Sequence, residues 1–434
     1  MSKPGAYQIF AVAICGLLWW SAMAGASGPT HNPAEEFEYP RPTGPHPVGS
    51  RFLFLEDPSR LDTYSDEPND HRWISTKVWY PAEPLPEANA APFGDDEFTR
   101  SMVTAGLFDP RFLDVVALQP SASFHDAPIA AEGAPWPVLI YSASGVITAN
   151  VFLYEELASH GYVVLAVGHP YWCEFYFDGR GEMFHFDKNN RYYTEMWVEE
   201  TSREVIETKE LITRSTDAEK KLVLYKRLNK LMPTEVSDLV LWQGDIEFLI
   251  AELGALNAAN GPYRGRLDTK RIGILGYSKG GALASQVCAT SDRIKAGVNL
   301  GGFAFGGQVE NDLKSPFMTL EHVEPLCSEC PPISLPFFER SMYDAYIIQI
   351  DGANHATFTD LPMLKEFILA DGVLSPLDGK WSAVIVRSYL LAFFDTYVKG
   401  LPRSPMLDEV PSPFGEVRYF KRLRGASAPR EPRP

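Results

Sequence analysis

The chain has 434 residues, 45% of them hydrophobic and 12% aromatic, which is enough apolar material for a large buried core. A formal net charge of −17 argues against nucleic acid and anionic membrane surfaces as main partners, since both repel a polyanion. No long run of like charge marks an acidic or basic tail.

Lys3 precedes an uncharged stretch, 4–30, with an apolar centre at 9–20, and both Ala22-Met23-Ala24 and Ala24-Gly25-Ala26 offer small-x-small cleavage patterns. Residues 1–26 therefore read as a secretory signal peptide, with an uncleaved anchor as the alternative, and the expected location is secreted or periplasmic. Residues 27–48, rich in Pro, Gly and Thr, read as an extended linker. Strand-like runs follow at 51–56 and 74–80, then a Pro/Ala-rich loop at 81–97 and a stretch without clear period at 98–134. A short apolar strand at 137–141, a helix at 154–160 stopped by Gly161 and a second apolar strand at 162–167 signal a βαβ unit and a parallel sheet. Residues 172–235 break the alternation and read as a helical cap insertion over the sheet. The next helix, 236–253, places Leu239, Leu241, Trp242, Ile246, Leu249 and Ile250 at near-helical spacing. Strands at 271–275, 294–300, 316–320 and 345–350 and a closing helix at 383–397 complete the pattern, leaving a Pro/Arg-rich C-terminal tail at 401–434. The fold class is α/β, a mostly parallel central sheet with helices on both faces, in which ligands bind at the C-terminal ends of the strands.

One such end carries Gly276-Tyr277-Ser278-Lys279-Gly280-Gly281, a G-x-S-x-G pattern between an apolar strand and a small-residue helix. This is the sequence form of a sharp strand–turn–helix that exposes a serine hydroxyl above the sheet. A serine needs a base, and in this fold the base follows it in the chain. His355, in Asp351-Gly-Ala-Asn-His355 after the last apolar strand, is the best placed of the nine histidines; the alternative is a surface loop histidine. His169 and His322 also follow strands and are assigned to the pocket wall. An oxyanion site needs two backbone N–H groups, one expected from Lys279 and the other from Ala143 or its neighbour Ser144. The Lys279 side chain reads as a solvated cation. Cys327 and Cys330 are spaced to close a small loop disulfide, and Cys288 reads as a buried apolar residue.

Asp57-Pro-Ser-Arg60, Val78-Trp-Tyr-Pro-Ala82, Glu155-Glu-Leu-Ala-Ser-His-Gly-Tyr-Val-Val164, Gly276-Tyr-Ser-Lys-Gly-Gly281 and Asn354-His-Ala-Thr-Phe358 together resemble the platelet-activating factor acetylhydrolase family of the plasma/isoform II type and its bacterial relatives. The resemblance spans roughly 48–400 apart from most of the insertion. It implies an α/β-hydrolase domain over 49–400 and a lipase-like serine esterase with neither metal nor cofactor. Ser278 would be the nucleophile, His355 the base, and phospholipids with short or oxidised acyl chains typical substrates. The chain departs from the family twice. Tyr141-Ser142 stands where the family carries His-Gly, and Gly301 stands where the family places its triad Asp. Glu321, at the end of a strand, is the favoured replacement acid. Glu324 is a weaker candidate, Asp351 reads as a turn cap, and a site with no acid is the remaining option.

Two other functions stay open: a binding protein that has lost catalysis, and a dienelactone or polyester hydrolase with the same nucleophile. The insertion's aromatics (Trp172, Phe175, Tyr176, Phe177, Phe184, Phe186, Tyr192, Tyr193 and Trp197) either roof an acyl pocket or pack the cap onto the sheet.

Overall fold

The computed structural model describes residues 37–424 except 66, 93–99, 101–102, 104–107, 173–174, 178–182, 186–190, 324–326, 328, 370–371 and 410. The expected signal peptide, linker residues 27–36, Cys173, Phe186 and the candidate acid Glu324 lie outside the described residues, as do the side chains of Phe175, Tyr176, Phe177, Phe184 and Tyr192.

Unbroken apolar runs need burial on both faces, which a parallel sheet between two helical layers supplies. The strands are β1 (Val48–Leu61), β2 (His71–Pro81), β3 (Ala90–Pro92), β4 (Pro120–His125), β5 (Trp136–Ser142), β6 (Val163–Gly168), β7 (Phe175–Phe177), β8 (Met183–His185), β9 (Leu267–Tyr277), β10 (Ile294–Leu300), β11 (Phe317–His322), β12 (Ala345–Ile350) and β13 (Val417–Arg422). Among the described residues, eleven of them form one sheet in the order β13-β12-β11-β10-β9-β5-β6-β2-β1-β4-β3, with β7 and β8 a separate pair. The six central strands, β6 to β12 in that order, run parallel. β2 and β1 continue antiparallel on one side, and β13 closes the other.

The helices are α1 (Phe112–Leu118), α2 (Val151–Ser159), α3 (Arg191–Glu200), α4 (Arg203–Arg214), α5 (Ala218–Leu231), α6 (Pro233–Ala258), α7 (Lys279–Thr290), α8 (Gly307–Glu310), α9 (Leu335–Arg340) and α10 (Gly379–Tyr397). Alternation along β5 divides the core. Val138 and Ile140 join Leu239, Trp242 and Leu283 of α6 and α7 on one face. Leu139 and Tyr141 join Tyr154, Leu157, Phe393 and Phe394 of α2 and α10 on the other. The expected insertion is helical: α4 and α5 start on Ser202 and Asp217, whose side chains accept from Val205 and Lys220 N–H.

Both termini of the described chain are more structured than a linker and a tail. Tyr39 O–H donates to Glu155 at 2.8 Å and Thr43 N–H to Glu156 at 2.8 Å, pinning 37–48 against α2. Val417–Arg422 becomes β13, because β12 would otherwise leave an open ladder edge. Tyr419 stacks there on Tyr346 and Tyr389 at 6.3 and 5.8 Å. Cys327 and Cys330 are joined by a disulfide, and Cys288 is buried and free. Among the described residues, no helix is long and apolar enough to cross a membrane.

One buried polar network links β1, β2 and α6. Arg72, with no solvent exposure, pairs with Asp62 at 3.1 Å and Asp245 at 2.9 Å. Arg60 pairs with Asp57 at 2.6 Å and Asp245 at 3.0 Å. The Asp57-Pro-Ser-Arg60 motif is thus a register irregularity within β1 that delivers a guanidinium to α6, with Asp57 also accepting from Ser59 N–H at 2.9 Å. Removing one partner of a buried pair strands the other charge. Arg72→Met is therefore expected to destabilise the fold by about 3–5 kcal/mol in urea unfolding; an unchanged midpoint would contradict the role given to the network.

Candidate active site

β9 ends at Tyr277 and α7 begins at Lys279, so Ser278 alone makes the turn. Its backbone sits at φ 55°, ψ −121°, a conformation that costs a side-chain-bearing residue about 1–3 kcal/mol and persists only when its surroundings enforce it. The enforcement is visible. Ser278 N–H donates to Leu300 C=O at 2.9 Å, and Ser278 C=O accepts from Gly281 and Ala282 at 2.9 and 3.2 Å. A Cβ on Gly276 would lie 2.2 Å from Gly280 C=O, and one on Gly281 would lie 2.1 Å from Asn299 Oδ1. A Cβ on Gly302 would lie 2.1 Å from the Ser278 carbonyl oxygen. Asn299 locks the adjoining turn, donating to Gly302 C=O at 3.0 Å and accepting from Gly302 N–H at 2.8 Å. The motif reading missed Asn299; its signal is a buried polar residue ending an apolar strand just before Gly301-Gly302.

The loop after β12 presents His355. Asn354 anchors it, donating through Nδ2 to Val373 C=O at 2.9 Å and through its backbone to Thr357 Oγ1 at 2.9 Å. The His355 ring lies 4.6 Å from the ring of Tyr277, the residue before the serine. Gly301 has φ +70°, and a Cβ built on it would stand 3.2 Å from His355 Nδ1 and 2.8 Å from Phe358. The position that faces Nδ1 therefore carries no side chain, and Phe358 fills the space one would enter. What meets the imidazole there is the Gly301 backbone, which favours the protonated ring. Burial, helped by His322 and Lys209, outweighs it and lowers His355 to about 3. Among the described residues, no hydrogen bond joins the Ser278 hydroxyl to His355. Such bonds commonly tighten only when substrate is bound.

Glu321 is not brought to His355. Its carboxylate accepts from Ile333 N–H at 3.1 Å, from Ser334 N–H and Oγ at 3.3 and 2.9 Å, and from Gln349 at 3.3 Å. Burial raises it to about 7. The pleat gives the reason: neighbouring side chains on a strand point to opposite faces, so Glu321 and His322 cannot both face the site. His322 is the one within electrostatic reach of His355. Asp351 pairs with Arg418 of β13 at 2.8 Å.

The expected oxyanion donor Ala143 is also displaced. Its N–H donates to Val167 C=O at 3.1 Å, extending the β5–β6 ladder by one residue. Ser144, the alternative at that loop, is the next residue in the chain. The loop is in place: a Cβ on Gly280 would lie 2.1 Å from the Ser142 carbonyl oxygen, so the chain leaving β5 touches the start of α7. The Lys279 side chain is not solvated. Its ammonium pairs with Glu235 and with Asp238 at 2.9 Å, and sits 3.9 Å from the Trp172 ring and 4.7 Å from the Trp242 ring. Trp172 is buried against α6 and α7, with its ring 6.2 Å from that of Trp242. His169 is fully buried.

Bordering Asn299 and Gly302 is a small pocket with room for about one water molecule, lined by Tyr225, Phe317, Ile333 and Phe337 together with polar Gln308, Thr319 and Ser334; neither Ser278 nor His355 lines it. Among the described residues, no cluster of three His, Cys, Asp or Glu side chains is placed to hold a metal ion.

A mostly parallel sheet with a strained serine between a central strand and its following helix, and a histidine from the loop after a later strand, defines an α/β hydrolase. A ferulic acid esterase from Streptomyces cinnamoneus shares this fold with a TM-score of 0.66 and 24% identity, over 88% of this chain and 99% of that one. The family model of platelet-activating factor acetylhydrolase, isoform II, matches residues 34–397, and the chain belongs to that family. A platelet-activating factor acetylhydrolase from Cavia porcellus is 23% identical over 270 residues, 60% of this chain and 54% of the relative, so the chain spans about half the length of the curated relative it matches.

The elbow contacts separate two superficially equal substitutions. Gly276→Ala forces a Cβ against Gly280 and is expected to lose about 1–3 kcal/mol in urea unfolding. Gly254→Ala, in α6 with nothing within 4 Å, is expected to be neutral or to gain up to about 1 kcal/mol. Equal effects would contradict the packing described for the turn.

Proposed function

We propose that this protein is a serine ester hydrolase that works with a Ser278–His355 pair and no orienting carboxylate. Ser278 attacks the ester carbonyl while His355 takes its proton; the acyl-enzyme forms as the alcohol leaves, carrying that proton, and water then reverses the path. The Lys279 and Ser144 N–H groups receive the oxyanion. The Gly301 backbone takes the place of the family's Asp in fixing the ring. The observation that carries the reading is the enforced φ of 55° at Ser278, a strain without structural purpose unless the hydroxyl must be presented. Glu321 serves the 333–334 loop.

The ester is proposed to be hydrophobic, of the lipid type suggested by the name of the Cavia porcellus relative. A leader at 1–26 would make the protein secreted or periplasmic.

With p-nitrophenyl esters, Ser278→Ala and His355→Ala are each expected to lower kcat by at least about a thousandfold. Glu321→Gln is expected to stay within about threefold of wild type, since it touches no reacting group. A loss with Glu321→Gln as large as with His355→Ala would restore a carboxylate to the mechanism.

The base must be neutral to work. With His355 lowered to about 3, the pH profile of kcat/KM should keep its plateau well below the ordinary imidazole value of 6.5. The same shift opposes stability in acid: the unfolded chain protonates near 6.5, so stability present above that pH drains away as pH falls toward the folded value. Initial rates on briefly acidified enzyme separate the two effects. An acid limb centred near 6.5 would contradict the half-buried, neutral histidine.

A further inference from the structure

Glu235, Asp238, Trp242 and Asp245 follow one another on α6 at intervals of three, four and three residues, which places them on a single helical stripe. Three are carboxylates with 6%, 1% and 0% exposure, an expensive content for one buried helix face. Each has a defined partner. Glu235 and Asp238 hold the ammonium of Lys279. Asp245 accepts from Arg72 and Arg60 and, through Oδ2, from His169 Nδ1 at 2.9 Å. The opposite nitrogen, His169 Nε2, lies 3.0 Å from the Ser142 hydroxyl. Trp242 joins the two halves: its ring stacks on His169 at 4.0 Å and 7°, and lies 4.7 Å from the Lys279 ammonium.

Ser142, His169 and Asp245 have the residue types and hydrogen-bonding order of a catalytic triad. None has any solvent exposure, so no substrate reaches them and they are not a second active site. Burial on its own would raise Asp245, but the Arg72 guanidinium overrides it and keeps the carboxylate ionised, while burial keeps His169 neutral. The proton on Nδ1 therefore goes to Asp245, and Nε2 accepts from the Ser142 hydroxyl. This chain of donation begins on the strand residue two positions before Ser144 and ends on Asp245. The stripe's other branch ends on Lys279. These are the two segments whose N–H groups meet the oxyanion in the reading above, and they touch one another where the Ser142 carbonyl packs on Gly280.

We propose that Ser142, His169 and Asp245, together with the Lys279–Asp238 pair, are positioning residues through which one face of α6 sets both backbone donors of the oxyanion site. The proposal rests on the ester-hydrolase reading. Donors aimed at a developing charge must be fixed before it forms, and small displacements are costly. A buried relay tied to two guanidinium groups resists such displacement better than a solvent-facing loop.

The test is Ser142→Ala, which deletes one hydroxyl, with His169→Asn as a second variant that retains a donor toward Asp245 but loses the acceptor toward Ser142. We would measure kcat and KM on a p-nitrophenyl ester, Ki for phenylboronic acid, whose tetrahedral adduct on the nucleophile places an oxygen in the oxyanion site, and Tm. The expected result for both variants is a fall in kcat of about tenfold or more with KM within about twofold, and a boronate Ki weakened in parallel. Ser142→Cys should recover part of the loss, since a thiol still donates weakly. Folded variants with wild-type kcat and boronate Ki, or ones that lose only Tm, would overturn the proposal and leave the hydrolase reading standing. A wild type with no ester hydrolysis would overturn both.

Discussion

The structure around the site depends on holding one residue where it does not choose to be. Ser278 occupies a backbone region that disfavours any side chain, and the surroundings offset the cost by close backbone contacts at Gly276, Gly280, Gly281 and Gly302. Asn299 ties the turn after β10 to the same point, and the Ser278 N–H bond to Leu300 joins the elbow to the neighbouring strand. Because both turns lie at the C-terminal edge of the parallel sheet, the hydroxyl, the His355 loop and the chain leaving β5 converge there. The helical layers supply the rigidity that makes this convergence permanent.

The histidine departs from the family pattern in a physically consistent way. A side chain at 301 would need a positive φ and would collide with Phe358 as it is packed here. An imidazole without a carboxylate gains less stabilisation when it takes a proton, and burial moves it further in the same direction. In the proposed role such a ring would be a weak base, neutral over a wide pH range. His169, by contrast, meets a carboxylate, Asp245, which is held in turn by the fully buried guanidinium of Arg72 and the part-exposed one of Arg60.

Much of this was legible in the residues themselves. Apolar runs marked the central strands, and the 345–350 run coincides with β12 because a fully buried parallel strand has little freedom in its ends. The glycine spacing around Ser278 encoded the turn because no other residue fits those contacts. Four features were not legible, each for a reason. Lys279 reads as solvated, since its two carboxylates lie more than forty positions away in sequence. Ala143 and Ser144 differ by one rung of a ladder, which composition does not encode. Glu321 and His322 are both polar residues at a strand end, and only the pleat decides which faces the site. Asp57-Pro-Ser-Arg60 carries a family resemblance, but its target, Asp245, is invisible without the fold.

The central claim is that one strained serine is the nucleophile and His355 its base, and it is tested most directly by the identity of the covalently modified residue. Wild-type protein and His355→Ala would be treated with a fluorophosphonate and their peptides mapped by mass spectrometry. The account predicts a single stoichiometric adduct on Ser278 in the wild type, formed at least about a hundredfold more slowly in His355→Ala. An adduct on another residue, no adduct at all, or equal rates in the two proteins would contradict it.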